Sequence, residues 1–265
     1  MLPRLGLTFS VISIGILILV TWSCETRDPG CLDPMAMNFD FNAIDECDSC
    51  CVLPSALLNI SYVFDTMDFN FGDDIVLADN DTLVINSIQL PFSEFSFRSG
   101  TDNLLLTDTI RNQQPLIRDN YLILSSSDRI EPIGRSDFVT QVLEYTCRLG
   151  LDPNVSLGLK PFEDIPSASN FINVIEEMYD DSTNTLVQAR MTLTLADSTR
   201  NLELLDIIDP NIVVKDTVDI ELGRNWTLGM RMDMSILIEG IQASQSNQLM
   251  ETTISQNISR AILPD

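Results

Sequence analysis

From Leu57 onward the chain is written in short runs in which apolar and polar residues alternate, and no other feature restricts its fold so far. A period of two sends successive side chains to opposite faces of an extended strand, so each run has one face to bury and one to wet. Leu58, Ile60, Tyr62 and Phe64 alternate with Asn59, Ser61 and Val63. Thr82–Leu90 and Phe92–Phe97 read as two strands broken at Pro91, which has no N–H to give to a ladder. Further strands are predicted over Tyr121–Leu124, Phe138–Leu149, Leu186–Leu195, Ile212–Leu222 and Trp226–Ile238. Asp79-Asn80-Asp81 and Arg98-Ser99-Gly100-Thr101-Asp102 supply turns between them. Phe171–Tyr179 is open between helix and strand, and in the tail Glu251–Leu263 the residues Ile254, Ile258, Ala261 and Ile262 have the spacing of a short closing helix. Many strands with few helices predict a mainly β fold, an antiparallel β-sandwich, over residues 55–265.

One predicted strand carries a sharper alternative. Trp226, Leu228, Met230, Met232, Met234, Ile236 and Ile238 share a face, opposite Thr227, Arg231, Asp233 and Ser235. Three thioethers in succession are a ligand set for Cu(I), which favours soft sulfur. The apolar stripe continues on both sides of Met230, Met232 and Met234, as a core strand requires, and core packing is the favoured reading. On another strand Val139, Gln141, Leu143, Tyr145, Cys147 and Leu149 are predicted to share a face, which makes Cys147 a buried, inert thiol.

The N-terminus reads as an address. Arg4 is the only charged side chain before an apolar run from Leu5 to Val20, shorter than the roughly 20 residues a bilayer-spanning helix needs. A basic start, an apolar middle and a small residue before the cut describe a secretory signal segment. Val20-Thr21-Trp22-Ser23-Cys24 resembles the bacterial lipobox, in which the cysteine is acylated and becomes the first mature residue. Residues 1–23 are then the leader, Cys24 the lipidation site, and residues 24–30 a tether holding the protein to the lipid bilayer. Plain secretion with an incidental Cys24 and a short uncleaved anchor are the alternatives. The expected location is the bacterial cell envelope, on the outer membrane.

Cys31, Cys47, Cys50 and Cys51 mark off a small disulfide-rich N-terminal module over residues 31–54. An exported chain with four clustered cysteines is expected to pair them rather than bind zinc, because its compartment oxidises thiols. Cys50 and Cys51 are neighbours and strain against pairing with each other, so each is expected to bridge to Cys31 or Cys47. Asn38, Asp40, Asn42 and Glu46 have the spacing of a calcium loop, but Ala43 stands where such a loop needs glycine and Ser49 where it needs a bidentate glutamate. The module also resembles a repeat of bacterial surface proteins and lipoproteins, Cys-x-Asp-Pro-x-Ala-x-Asn-Phe/Tyr-Asp ending in an acidic, cysteine-bearing segment, matched by Cys31, Asp33, Pro34, Ala36, Asn38, Phe39, Asp40, Ala43 and Cys50. A stapled spacer is the primary reading and calcium on Asp33, Asn38, Asp40 and Asn42 the alternative; Met35 and Met37 are candidate soft ligands for copper, with packing the commoner role of loop methionines.

Composition limits the partners. Thirty-nine acidic residues against 15 basic ones give a net charge of −24, which repels nucleic acid and anionic lipid alike. Histidine is absent, which removes Ser-His-Asp and Cys-His nucleophiles and the commonest transition-metal ligand. The sequence shows no glycine-rich phosphate loop, nucleophile elbow or paired metal carboxylate motif, and no catalytic residue can be named.

Three segments of the large domain resemble the MbnP-like family, exported bacterial β proteins related to the copper-binding partners of a di-haem enzyme. They are Asp81–Leu90 with Phe92–Phe97, Ile133–Phe138 continuing to Leu149–Asn154, and Ile254–Ile258. The resemblance implies the fold and the exported setting. The family's copper sites use histidine and an oxidised tryptophan; this chain has no histidine and, past the leader, only Trp226, so that site does not carry over. The expected function is that of a membrane-anchored lipoprotein with a non-enzymatic binding or structural role toward a protein or small ligand. Carriage of copper or calcium is the second reading, and an exported hydrolase built on carboxylate pairs the third.

Overall fold

The structure, a computed structural model, describes residues 29–47, 49–104, 106, 110–111, 118–119, 121–138, 140–151, 178–180 and 185–264. The leader, Cys24, Val139 and most of Phe171–Tyr179 lie outside the described residues. Two compact units separate. One takes in the described residues up to Pro34 together with Asn38–Val52, the other Met35–Met37 and the chain from Leu53.

The larger unit is built from β1 (Ser55–Phe64), β2 (Asp74–Val76), β3 (Thr82–Ser99), β4 (Leu122–Ser125), β5 (Ile130–Arg135) and β6 (Glu144–Leu149). There follow β7 (Ala189–Leu195), β8 (Ser198–Leu204), β9 (Asn211–Val214), β10 (Trp226–Asp233), α1 (Met234–Leu237), α2 (Asn247–Ala261) and β11 (Ile262–Pro264). One sheet gathers around β3, with β7 and β8 toward one end, β6 and β9 toward the other, and β2 and β4 also paired to β3. The second runs β5-β1-β10-β11. Pairing is antiparallel throughout these two sheets except between β1 and β10, which run parallel from Trp226 opposite Ala56 to Asp233 opposite Val63.

The two sheets share one core. Ala56, Leu58, Ile60 and Tyr62 of β1 meet Leu83, Ile85, Ile88, Leu90 and Phe92 of β3, all fully buried or nearly so. Phe97 of β3 stands edge-on to Trp226 of β10, ring centroids 5.5 Å apart, and the Tyr145 hydroxyl of β6 donates to the Gly229 carbonyl of β10 at 2.7 Å. Alternation is the cause: β1 buries every second residue from Ala56 to Tyr62. At about 25 cal/mol per Å2 of apolar surface removed from water, such faces provide the main drive for the fold.

Several expected boundaries shift, each for a local reason. Pro91 does not break its strand; β3 runs 18 residues through it. Gln89 pairs with Arg190 on one side and Ser125 on the other, and Phe92 with Leu149 and Leu122. On the side where β7 ends and β6 begins, the Pro91 carbonyl accepts from Gly150 N at 2.8 Å. A residue's N and C=O point to the same side of a strand, so the donor-less nitrogen faces this gap and leaves no ladder bond unmade. The expected common face from Gln141 to Leu149 holds only from Tyr145. Val142 is buried while Leu143 is 41% exposed, because Gln141–Val142 pairs separately with Val218–Asp219. The strand expected over Trp226–Ile238 ends at Asp233, whose carboxylate accepts from Ser235 N at 2.9 Å and caps α1. The closing helix begins earlier than expected, at Asn247, capped by Ser246, and turns Met250, Ile254, Ile258 and Ala261 inward. Among the described residues no helix is long and apolar enough to cross a membrane.

Candidate functional site

Within the small unit, Pro29–Gly30 lies parallel to Asp45–Glu46, and Cys31 forms a bridge with Phe39. Glycine at position 30 has a packing reason: a Cβ there would come within 2.8 Å of the Ala43 Cβ. Ala43, which spoils the calcium-loop pattern, is thus a packing residue against Gly30. The Asp40 carboxylate accepts from Asn42 N at 2.9 Å and closes a tight turn. Asn38 spans the unit, its amide donating to the Cys50 carbonyl at 2.7 Å and accepting from Val52 N at 2.8 Å.

Two disulfides cross-link this framework, Cys31 with Cys51 and Cys47 with Cys50, their Cα atoms 5.0 and 5.7 Å apart. All four expected cysteines therefore pair, and the adjacent Cys50 and Cys51 do go to different partners. Cys31 is buried, while Cys47, Cys50 and Cys51 reach solvent. The sulfurs of Cys47, Cys50 and Cys51 lie within 4.8 Å of one another. Among the described residues this is the one group of three or more Cys, Asp or Glu side chains close enough to share an ion. Of the calcium candidates, Asn38 and Asp40 spend their side chains on backbone groups, and among the described residues Asp33 and Asp40 belong to no group of three or more close Cys, Asp or Glu side chains.

In the larger unit the methionine stripe lies wholly inside. Met230, Met232 and Met234 are each 0% exposed, with Ile60 and Tyr62 of β1 opposite Met230 and Met232. Cys147 is a free, buried thiol, and burial pushes its pKa far above the usual thiol range. Burial likewise raises the Tyr62 phenol, against a smaller downward pull from Arg129, whose guanidinium sits 5.3 Å from the ring centroid.

The outer face of the β3-β7-β8 sheet carries a shallow depression of about 230 Å3, lined by Ser87, Gln89, Arg190, Thr192, Asn201 and Glu203. Its side chains are already cross-linked: Arg190 Nε to Glu203 Oε1 at 3.0 Å, Thr192 Oγ1 to Asn201 Oδ1 at 3.0 Å. Sequence reasoning missed this face, because β8 alternates poorly around Arg200 and Glu203 and was not expected as a strand.

No protein-family model and no curated protein sequence matches the chain. A structural comparison finds a likeness to MbnP from Methylosinus trichosporium, with 10% identity, 70% of this chain and 78% of that chain covered, and a TM-score of 0.37. A likeness that distant assigns neither family nor function.

Proposed function

We propose that the chain is an exported bacterial lipoprotein, held to the envelope membrane through Cys24, that binds or scaffolds rather than catalyses. The observation that supports this best is the double cross-link within the first residues after the tether, Cys31 to Cys51 and Cys47 to Cys50. Such pairs persist where thiols are oxidised, outside the cytoplasm. A lipid-anchored protein also gains from a rigid spacer next to its anchor, and two staples in so short a stretch supply one. The polar depression over Ser87, Gln89, Arg190, Thr192, Asn201 and Glu203 is the ligand face in this reading, suited by its hydrogen-bonding groups to a polar, uncharged ligand.

The test is fractionation of cells expressing the wild type and Cys24→Ala. The wild type is expected in the membrane fraction, and the variant in a soluble exported fraction with both disulfides formed. A wild type in the cytosol would end the proposal. Metal carriage is the competing role. Equilibrium dialysis of the oxidised chain against Cu(I), Cu(II) and Ca2+ separates it, since retention of an ion at micromolar level would favour a carrier over a scaffold. A copper ion on Met230, Met232 and Met234 would have to displace fully buried core.

A further inference from the structure

The four cysteines of the small unit are positioned for a second state. A tetrahedral thiolate site with metal–sulfur bonds of about 2.3 Å places its sulfurs about 3.8 Å apart. The sulfurs of Cys47, Cys50 and Cys51 already lie within 4.8 Å of one another, and Cys31, outside that group, is bonded to Cys51 and has to close in on the other two once the bond opens. Cys47-Asp48-Ser49-Cys50 has the two-residue spacing of a zinc knuckle, which lets both sulfurs of a tight turn face one ion. Here the turn is closed by Ser49 N donating to the Cys47 carbonyl at 2.8 Å, and its start is fixed by Cys47 N donating to the Gly30 carbonyl at 3.2 Å. Cys31 is held by Asp40 N donating to its carbonyl at 2.8 Å. These backbone bonds do not depend on either S–S bond, so they can keep the sulfurs close when both are opened.

We propose that the reduced module is a thiolate site for Zn2+, built from Cys31, Cys47, Cys50 and Cys51, and that the two disulfides are its closed, metal-free form. Two molecules of a dithiol reductant deliver four electrons and four protons, opening both S–S bonds to give four thiols and two oxidised reductant molecules. Zn2+ then replaces the four thiol protons, which leave to solvent. Two molecules of a disulfide oxidant then accept four electrons from the four thiolates by thiol–disulfide exchange, each leaving as a dithiol after taking up two protons, and the two S–S bonds re-form as the ion is released. The residues from Pro29 to Pro54 include Asp33, Asp40, Asp45, Glu46 and Asp48 and no lysine or arginine. That surround draws cations but opposes thiolate formation, so zinc competes with protons and binding weakens as pH falls. The site is distinct from the methionine stripe and from the acidic calcium candidates, and it does not rest on the membrane anchor.

The test uses the full chain in detergent micelles, reduced with a phosphine or left oxidised, and titrated with Co2+ as a spectroscopic stand-in for zinc. The reduced chain is expected to take up one Co2+ with intense thiolate-to-metal charge-transfer bands and tetrahedral d–d absorption, both abolished by one equivalent of Zn2+. The oxidised chain is expected to show neither band. Cys47→Ser/Cys50→Ser, which keeps Cys31 and Cys51, is expected to lose the bands, and Cys147→Ser to retain them. Absence of thiolate bands in the reduced wild type overturns the proposal without reference to any variant. So does equal metal uptake by the oxidised chain, or full retention of the bands in Cys47→Ser/Cys50→Ser.

Discussion

Removing one hydroxyl, in Ser136→Ala, is expected to weaken the second sheet, where β5 and β10 flank β1. The Trp226 indole N–H donates to Ser136 Oγ at 2.9 Å, with Trp226 4% and Ser136 1% exposed, so no solvent stands ready to replace the acceptor. A buried donor left without a partner costs about 1–3 kcal/mol. Taking about 2 kcal/mol and a urea dependence of about 2.5 kcal/mol per molar, the midpoint of unfolding should fall by roughly 0.8 M. Trp226→Phe removes the donor as well as indole volume. In the double variant the orphaned-donor cost vanishes, so the two changes should combine to less than their sum by about 0.5–3 kcal/mol. The assay is urea denaturation followed by far-UV circular dichroism for the wild type, both single variants and the double. A midpoint unchanged in Ser136→Ala, or strict additivity, would refute the claim that this bond ties the end of β5 to β10 within the second sheet.

Tyr62→Phe should be neutral or stabilising by up to about 1 kcal/mol in thermal melts, because the buried hydroxyl has no hydrogen-bond partner among the described residues and its removal relieves a desolvation cost; a clear loss of stability would contradict this. Cys147 should resist alkylation in the folded chain and label on unfolding. Its folded pKa is raised, so the stability it confers is complete below the ordinary thiol pKa. Above it the unfolded chain binds fewer protons, and stability falls by as much as about 1.4 kcal/mol per pH unit in the wild type, but not through this group in Cys147→Ala. Asn38→Ala should release two backbone groups of the small module, at a cost of about 0.5–1.5 kcal/mol each, seen as faster hydrogen exchange at Val52 N. Ser246→Ala should destabilise α2 by about 1 kcal/mol, read from the urea midpoint.

Periodicity made the sandwich legible wherever a strand buries one face from end to end, as in β1 and the first part of β10. It failed where the partner, rather than the strand itself, decides. Pro91 looked like a break because its missing donor counts only if a neighbour needs it, and the gap between β7 and β6 is a property of the assembled sheet. The face through Leu143 was misassigned because Gln141–Val142 belongs to a different ladder, which no local pattern announces. β8 escaped notice because Ser198, Thr199 and Asn201 on this outer strand are exposed and leave little apolar signal. In the small module the division of the cysteines followed from the adjacency of Cys50 and Cys51. The choice of Cys51 for Cys31 did not, since spacing alone allows either assignment. The role of Ala43 was hidden for the same reason, because Gly30 meets it only after the turn at Asp40 has formed.

Intact and alkylation-mapped mass spectrometry of the protein extracted from bacterial membranes tests most directly whether it is an oxidised, lipid-held envelope protein. The expected chain starts at an acylated Cys24 and exposes, once unfolded without reductant, a single alkylatable thiol at Cys147. A chain that retains residues 1–23, or one in which Cys31, Cys47, Cys50 and Cys51 all take up the label, would contradict it.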